Sequence, residues 1–196
     1  MSVVKIVTRP GFYITLKGRC EYLITGFKMS NKNSKLILKP SGRLDAGRLK
    51  VEFKNYGVEN QLEFFDKQSY LKVEDHLKLY NNIDIGLDTF PYNGVTTTFE
   101  ALWSGVPVLV MKGFNFNSRC GESININLGM IEMIARDEED YILKAIKLSK
   151  NIDYLSEIRK TLREKANKSP LFDSESFGHD FTKLIKSIWE NYISRN

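Results

Sequence analysis

The stretch of residues 83–105, IDIGLDTFPYNGVTTTFEALWSG, constrains the fold more than any other part of this chain. Its first five residues predict a buried strand, and a turn rich in Pro, Asn and Gly follows. Three threonines then open a helix over 96–103, which Gly105 closes. A strand that passes through a short turn into a helix is half of a βαβ unit, so this stretch predicts a parallel sheet.

The same alternation of short apolar runs and amphipathic stretches continues along the chain. It predicts further strands over 3–7, 35–39, 62–65 and 107–111, and helices over 45–56, 70–81, 120–127, 140–149, 154–166 and 176–192. Residues 130–135 are predicted as one more helical turn. We therefore expect an α/β fold, with a parallel sheet covered by helices on both faces, over residues 1–175. A C-terminal helix over 176–196 is expected to pack its apolar stripe on that domain.

Composition narrows the class of protein. Hydrophobic residues make up 42% and charged residues 27% of the 196 residues, as in soluble globular proteins. No apolar run is long enough to span a bilayer, and the start lacks a signal-peptide pattern, so we predict a cytoplasmic protein without a membrane partner. The net charge of +5 is spread along the chain and accompanies no reading motif, so no nucleic-acid partner is expected.

Metal-ligating residues are sparse and widely separated. The two cysteines, Cys20 and Cys120, form no CxxC pair, and the two histidines, His76 and His179, are far apart in the sequence. This spacing predicts no metal site and two free thiols.

The threonine-rich helix start is the candidate binding site. The N-terminus of a helix presents unpaired N–H groups and a positive dipole end, and the hydroxyls of Thr96 and Thr97 add donors, so together they can cradle a phosphate. Gly94 allows a ligand to approach the backbone closely. Glu100 can accept hydrogen bonds from ribose hydroxyls, at the carboxyl end of a strand where open α/β sheets bind ligands.

Plainer interpretations compete with this one. A threonine run at a helix start is often only a cap, Glu100 can simply complement the helix N-terminus, and His76 can be a surface histidine. Asp88 and Asn93 are expected to shape the turn. Arg119 either orders the long loop or reaches a phosphate. Because the chain has neither GxxxxGK[ST] nor GxGxxG, P-loop hydrolysis and hydride transfer lose support.

Residues 87–113, LDTFPYNGVTTTFEALWSGVPVLVMKG, resemble the signature of the O-linked N-acetylglucosamine transferases, including their plant SPINDLY-type relatives. The resemblance extends roughly over residues 12–192. It implies the GT-B architecture, in which two Rossmann-like domains face each other across a cleft. This chain resembles the C-terminal domain, which binds the nucleotide of the sugar donor.

The resemblance also implies roles for individual residues. Thr96 and Thr97 match the paired threonines that bind the diphosphate, and Glu100 matches the acid that contacts the ribose. His76 matches a histidine near the ribose and the base. Lys17 resembles the catalytic lysine that neutralises the departing nucleoside diphosphate. Val95 stands where the animal enzymes have a histidine.

The function implied by the resemblance is transfer of a sugar to Ser or Thr hydroxyls of proteins, with UDP-GlcNAc as the expected donor and without a metal or cofactor. The acceptor protein is expected to bind through an N-terminal domain missing from this chain, which is expected to be inactive alone. One alternative is a truncated, non-catalytic nucleotide-binding or interaction module that needs a separate N-terminal half. Another is an unrelated Rossmann-like protein that binds a different phosphate ligand.

Overall fold

A six-stranded parallel sheet forms the centre of the molecule in a computed structural model, which describes residues 4–8, 34–38, 46–64 and 73–195. The strands are β1 (Val4–Thr8), β2 (Ser34–Leu38), β3 (Leu62–Phe64), β4 (Ile85–Leu87), β5 (Val108–Met111) and β6 (Ile134–Ala135). Their order across the sheet is β3-β2-β1-β4-β5-β6, and each pair of neighbours is parallel. This is the Rossmann strand order, and it reverses between β1 and β4, where open α/β sheets bind their ligands.

Seven α-helices accompany the strands in the described ranges. They are α1 (Ala46–Asn55), α2 (Val73–Leu79), α3 (Thr96–Trp103), α4 (Phe116–Asn127), α5 (Glu138–Lys150), α6 (Ile152–Asn167) and α7 (Ser174–Ile193). Short 3-10 helices occupy Glu59–Gln61, Tyr80–Asn82 and Ile131–Met133. None of the described helices is both long and apolar enough to cross a membrane.

The core lies around β4 and β5, where Ile85, Leu109 and Val110 are fully buried. Leu102 of α3 and Leu162 of α6 pack into the same cluster. Strands that are apolar on both faces are typical of a parallel sheet covered by helices. The structure therefore confirms the predicted α/β fold and its parallel sheet.

Two local predictions differ from the structure. Only part of the helical turn predicted over residues 130–135 is present, as the 3-10 helix Ile131–Met133. Ile134 and Ala135 instead form β6, which pairs with Val110 and Met111 of β5. A strand of two residues carries too little periodicity to be seen in a sequence. Helix α4 begins four residues earlier than predicted because the side chain of Asn115 caps it.

The C-terminal helix is exposed in the part of the chain that the structure describes. No residue of α7 is buried, and its apolar stripe is exposed, with Phe177 at 69% and Trp189 at 60% exposure. The expected packing of this helix on the domain therefore stays a prediction. An amphipathic pattern shows that a helix has an apolar face but not which surface covers it. The proposed boundary between residues 175 and 176 stays a prediction.

Candidate functional site

The loop from β4 to α3 is shaped by the carboxylate of Asp88. Its Oδ1 accepts hydrogen bonds from the backbone N–H of Thr89 at 2.9 Å and of Gly94 at 2.8 Å. The hydroxyl of Tyr141, on α5, donates to the carbonyl of Asp88 at 2.9 Å. Burial, followed by the nearby Asp88 carboxylate, raises the pKa of Tyr141 well above its ordinary value, so this hydroxyl stays a donor. Asp88 thereby closes the turn at the end of β4.

Asn93 connects this loop to α4. Its side chain is 1% exposed; Nδ2 donates to the carbonyl of Thr89 at 3.2 Å, and Oδ1 accepts from the N–H of Gly121 at 3.2 Å. Its own backbone N–H donates to the carbonyl of Asn117 at 3.0 Å. The turn-shaping roles expected for Asp88 and Asn93 are confirmed, and the starts of α3 and α4 are fixed relative to each other.

Gly94 lies in a space that admits no side chain. A Cβ at this position would lie 2.7 Å from Oγ1 of Thr97 and 2.9 Å from Oγ1 of Thr98. Because Thr98 is buried and donates to the carbonyl of Gly94 at 2.9 Å, the backbone at Gly94 lies close against the first turn of α3. The glycine is therefore required for the compact entry into the helix.

The first turn of α3 has no side-chain cap. The N-cap residue is Val95, whereas Asn115, Asp137, Asn151 and Asp173 cap the four helices that follow. Thr96 and Thr97 lie inside the helix, Thr96 exposed and Thr97 half-buried. The interpretation of the threonines as a cap is therefore wrong. Among the described residues, no side chain accepts a hydrogen bond from the first N–H groups of α3, which carry the positive end of its dipole.

Glu100 lies in the second turn of α3 and contacts two side chains from the segment before β4. His76 Nε2 is 2.9 Å from Glu100 Oε2, and the hydroxyl of Tyr80 donates to the same oxygen at 3.2 Å. The rings of His76 and Tyr80 meet edge to face, 5.7 Å between centroids. We call His76, Tyr80 and Glu100 the Glu100 cluster. Within the described residues, the other oxygen, Oε1, accepts no hydrogen bond, and the Glu100 side chain is 28% exposed.

Tyr80 is the member of this cluster that the sequence reasoning missed. It follows His76 by four residues, a spacing that places two side chains on one helical face, and this was the available signal. The guanidinium of Arg159, on α6, donates to the carbonyl of Tyr80 at 2.8 Å and to that of Ile83 at 2.5 Å. The segment that carries His76 and Tyr80 is thus anchored from the opposite side.

Arg119 makes an ion pair within α4. Its Nε donates to Oε2 of Glu122 at 2.7 Å, and Lys112 Nζ lies 3.5 Å from Oε1. The hydrogen bond from Arg119 lowers the pKa of Glu122 below its ordinary value, against the effect of burial. Of the two interpretations of Arg119, the described contacts favour ordering of the segment after β5.

The structure brings together five predicted site residues, His76, Gly94, Thr96, Thr97 and Glu100, around the start of α3. Lys17, the predicted catalytic lysine, lies outside the described residues, as does Cys20. In the sequence Lys17 follows the end of β1 by nine residues, and the carboxyl end of β1 neighbours that of β4.

Comparison with known proteins assigns this arrangement to a family. The family model described as "Glycosyl transferase family 41" matches residues 45–181, more than half of the chain and the whole of the site described above. The chain belongs to glycosyl transferase family 41. The unrelated Rossmann-like protein considered from the sequence is thereby excluded.

Plant SPINDLY proteins are among its similar relatives. The chain is 41% identical over 118 residues to the probable UDP-N-acetylglucosamine–peptide N-acetylglucosaminyltransferase SPINDLY of Eustoma exaltatum subsp. russellianum, covering 60% of this chain and 13% of that protein. It is 31% identical over 121 residues to the UDP-N-acetylglucosamine–peptide N-acetylglucosaminyltransferase of Caenorhabditis elegans, covering 62% of this chain and 10% of that protein. The chain therefore spans a small part of these relatives.

Solved structures agree with the fold. A variant of the Thermobaculum terrenum O-GlcNAc transferase matches with a TM-score of 0.82 and 27% identity, covering 96% of this chain and 36% of that one. Anabaena HepE, solved with UDP and glucose, matches with a TM-score of 0.62 at 17% identity, covering 93% and 48%, and supports the fold alone. The GT-B fold class predicted from the resemblance is confirmed.

Proposed function

We propose that this chain is the donor-binding part of a glycosyltransferase that transfers a sugar to Ser or Thr hydroxyls of proteins. The donor proposed first is UDP-GlcNAc. The acceptor protein binds to a part of the enzyme that this chain does not include. Membership of family 41 and the names of the SPINDLY and Caenorhabditis relatives support this reaction class.

The observation that carries the proposal is the uncapped start of α3 beside the Glu100 cluster. Helix N–H groups and the hydroxyls of Thr96 and Thr97 can donate to a diphosphate, and Val95 supplies no competing acceptor. Glu100 Oε1 lies one turn further along the same helix as an acceptor for ribose hydroxyls. A nucleoside diphosphate needs donors for its phosphates and an acceptor for its ribose, and α3 offers both.

The chemistry of transfer explains why this helix matters to the rate. As the acceptor oxygen bonds to the anomeric carbon, the bond from that carbon to the β-phosphate oxygen breaks, and the proton of the acceptor hydroxyl passes to the solvent. Negative charge accumulates on the departing nucleoside diphosphate. Fixed N–H dipoles and hydroxyls stabilise that charge more in the transition state than in the ground state. Lys17 is proposed to add a full positive charge there, and no metal is required.

The proposal also specifies the base and the sugar of the donor. HepE, which shares the fold, was solved with UDP and glucose, and the relatives above carry UDP-N-acetylglucosamine in their names. We therefore propose uracil and N-acetylglucosamine, with a guanine nucleotide carrying fucose as the competing donor.

A second candidate function is a non-catalytic nucleotide-binding or interaction module that needs a separate half. The exposed apolar stripe of α7 favours it, because none of the 20 residues of this helix is buried in the structure as described. An apolar surface of this kind is typical of a protein-binding face.

The experiment is calorimetric titration of the 196-residue chain with UDP and with GDP in buffer containing EDTA. The proposal expects saturable UDP binding that is lost in a Thr96→Ala, Thr97→Ala variant. A Thr161→Ala, Thr182→Ala variant is the matched control, because these are exposed helical threonines on α6 and α7. Tighter GDP binding would move the donor towards fucose. A folded chain that binds neither nucleotide would contradict donor binding and favour the interaction module.

A further inference from the structure

Tyr80 is a buried tyrosine whose position is fixed from two sides. It begins the 3-10 helix Tyr80–Asn82 and is 7% exposed, with its ring in the hydrophobic core cluster. Arg159 donates to its carbonyl at 2.8 Å and to the nearby carbonyl of Ile83. Because a planar guanidinium that donates to two carbonyls restricts both, the Tyr80 hydroxyl has little freedom to move away from α3.

The hydroxyl of Tyr80 reaches two acceptors on α3. It lies 3.2 Å from Glu100 Oε2 and 3.4 Å from the carbonyl oxygen of Thr97. A phenol has one proton to donate, so it donates to one of these acceptors at a time, and the charged carboxylate is the stronger. His76 Nε2 contacts the same oxygen at 2.9 Å.

The two carboxylate oxygens of Glu100 have different surroundings. Oε2 is directed towards Tyr80 and His76, while Oε1 accepts no hydrogen bond from the described residues. A glutamate on a helix surface otherwise samples several rotamers, and ordering it when a ligand binds costs affinity. A contact that holds the carboxylate before a ligand arrives removes part of that cost.

We propose that Tyr80 is a positioning residue, which orients Glu100 so that Oε1 receives the ribose hydroxyls of the donor. Tyr80 touches no ligand in this scheme and acts through the carboxylate. The inference rests on the proposed function, since it assigns the ribose of a nucleoside diphosphate to Glu100.

The test compares the affinities of UDP and 2′,3′-dideoxy-UDP for the full chain and for Tyr80→Phe, or the corresponding guanine pair if GDP binds more tightly. The unsubstituted chain is expected to favour UDP by about tenfold, the range of one charge-assisted hydrogen bond. Tyr80→Phe is expected to reduce this ratio about threefold, since His76 still contacts Glu100. A Tyr80→Phe chain that keeps the full ratio, or weakens both ligands equally, overturns the proposal.

Two further variants separate positioning from a general structural role. Tyr154→Phe removes a hydroxyl that donates to another glutamate, Glu132, at 3.1 Å, and should leave the ratio unchanged. In a Glu100→Ala chain, adding Tyr80→Phe should change the ratio no further, because the two residues act through one contact. A further change in that background would mean that Tyr80 reaches the ligand directly and would overturn the proposal. If the folded, unsubstituted chain binds no nucleotide, the proposed function itself fails; if it binds and discriminates but Tyr80→Phe has no effect, only this inference fails.

Discussion

Replacing Asn93 with alanine should destabilise the chain by about 3 kcal/mol. The side chain is 1% exposed, and its two polar atoms connect the carbonyl of Thr89 with the N–H of Gly121. Each lost hydrogen bond costs about 1 kcal/mol, and the void left in a packed site adds about 1 kcal/mol. The loss should be large because the loop from β4 to α3 and the start of α4 share these contacts.

Urea unfolding followed by circular dichroism measures this loss. With a slope of about 2 kcal/mol per molar urea, typical of small proteins, the midpoint should fall by about 1.5 M. Asn127→Ala is the matched control, because its amide also donates to a carbonyl, that of Ser123, but from an exposed position. Its free energy of unfolding should change by less than about 0.5 kcal/mol. A loss below about 1 kcal/mol for Asn93→Ala, or an equal loss in the control, would refute the reasoning.

Three other predictions address the supports of the site. Arg159→Ala should lower the free energy of unfolding, measured in urea, by about 2 kcal/mol. Arg159→Lys should recover less than half of this loss, because an ammonium cannot donate to the carbonyls of Tyr80 and Ile83 in the same planar geometry. Full recovery with lysine would contradict this explanation. Gly105→Ala should lower the thermal midpoint of unfolding, because φ at Gly105 is +80° and a Cβ would lie 2.9 Å from the carbonyl oxygen of Arg159. Gly178→Ala is the control and should not lower it, because a Cβ there meets nothing within 4 Å. Arg119→Met should change the pH dependence of stability, because Arg119 lowers the pKa of Glu122 below its ordinary value of 4.5 in the folded chain. The unfolded chain therefore binds this proton more readily than the folded chain does. The stabilisation is present above about pH 4.5 and is lost as the pH falls through the folded-state pKa. The urea midpoints of Arg119→Met and the unsubstituted chain should therefore differ at pH 7 and approach each other as the pH falls below 4.5. A difference that does not shrink on acidification would argue against the ion pair.

The sequence predicted those features that are local along the chain. The bounds of α3 follow from a threonine run and from Gly105, and both lie within one short stretch. The turn roles of Asp88 and Asn93 follow from residue types that hydrogen-bond nearby backbone. The family signature over residues 87–113 lies in the same segment, which is why Thr96 and Glu100 could be named as candidates.

Features that depend on distant contacts were not predictable in the same way. Tyr80 reaches Glu100 only because the 3-10 helix Tyr80–Asn82 lies beside α3, and nothing in the segment around Tyr80 specifies that contact. Strand β6 exists because two residues pair with β5, not because they have a strand pattern of their own. The apolar stripe of α7 was visible in the sequence, but the surface that would cover it was not.

The measurement that tests the central claim most directly is the change in backbone amide chemical shifts of the 22.6 kDa chain when UDP or GDP is added. If the start of α3 binds the diphosphate, the largest shifts should occur at the N–H groups of Thr96, Thr97 and Thr98, with further changes around Glu100. Those shifts should saturate with the affinity found by calorimetry. Saturable binding with shifts confined to other parts of the chain would contradict the claim.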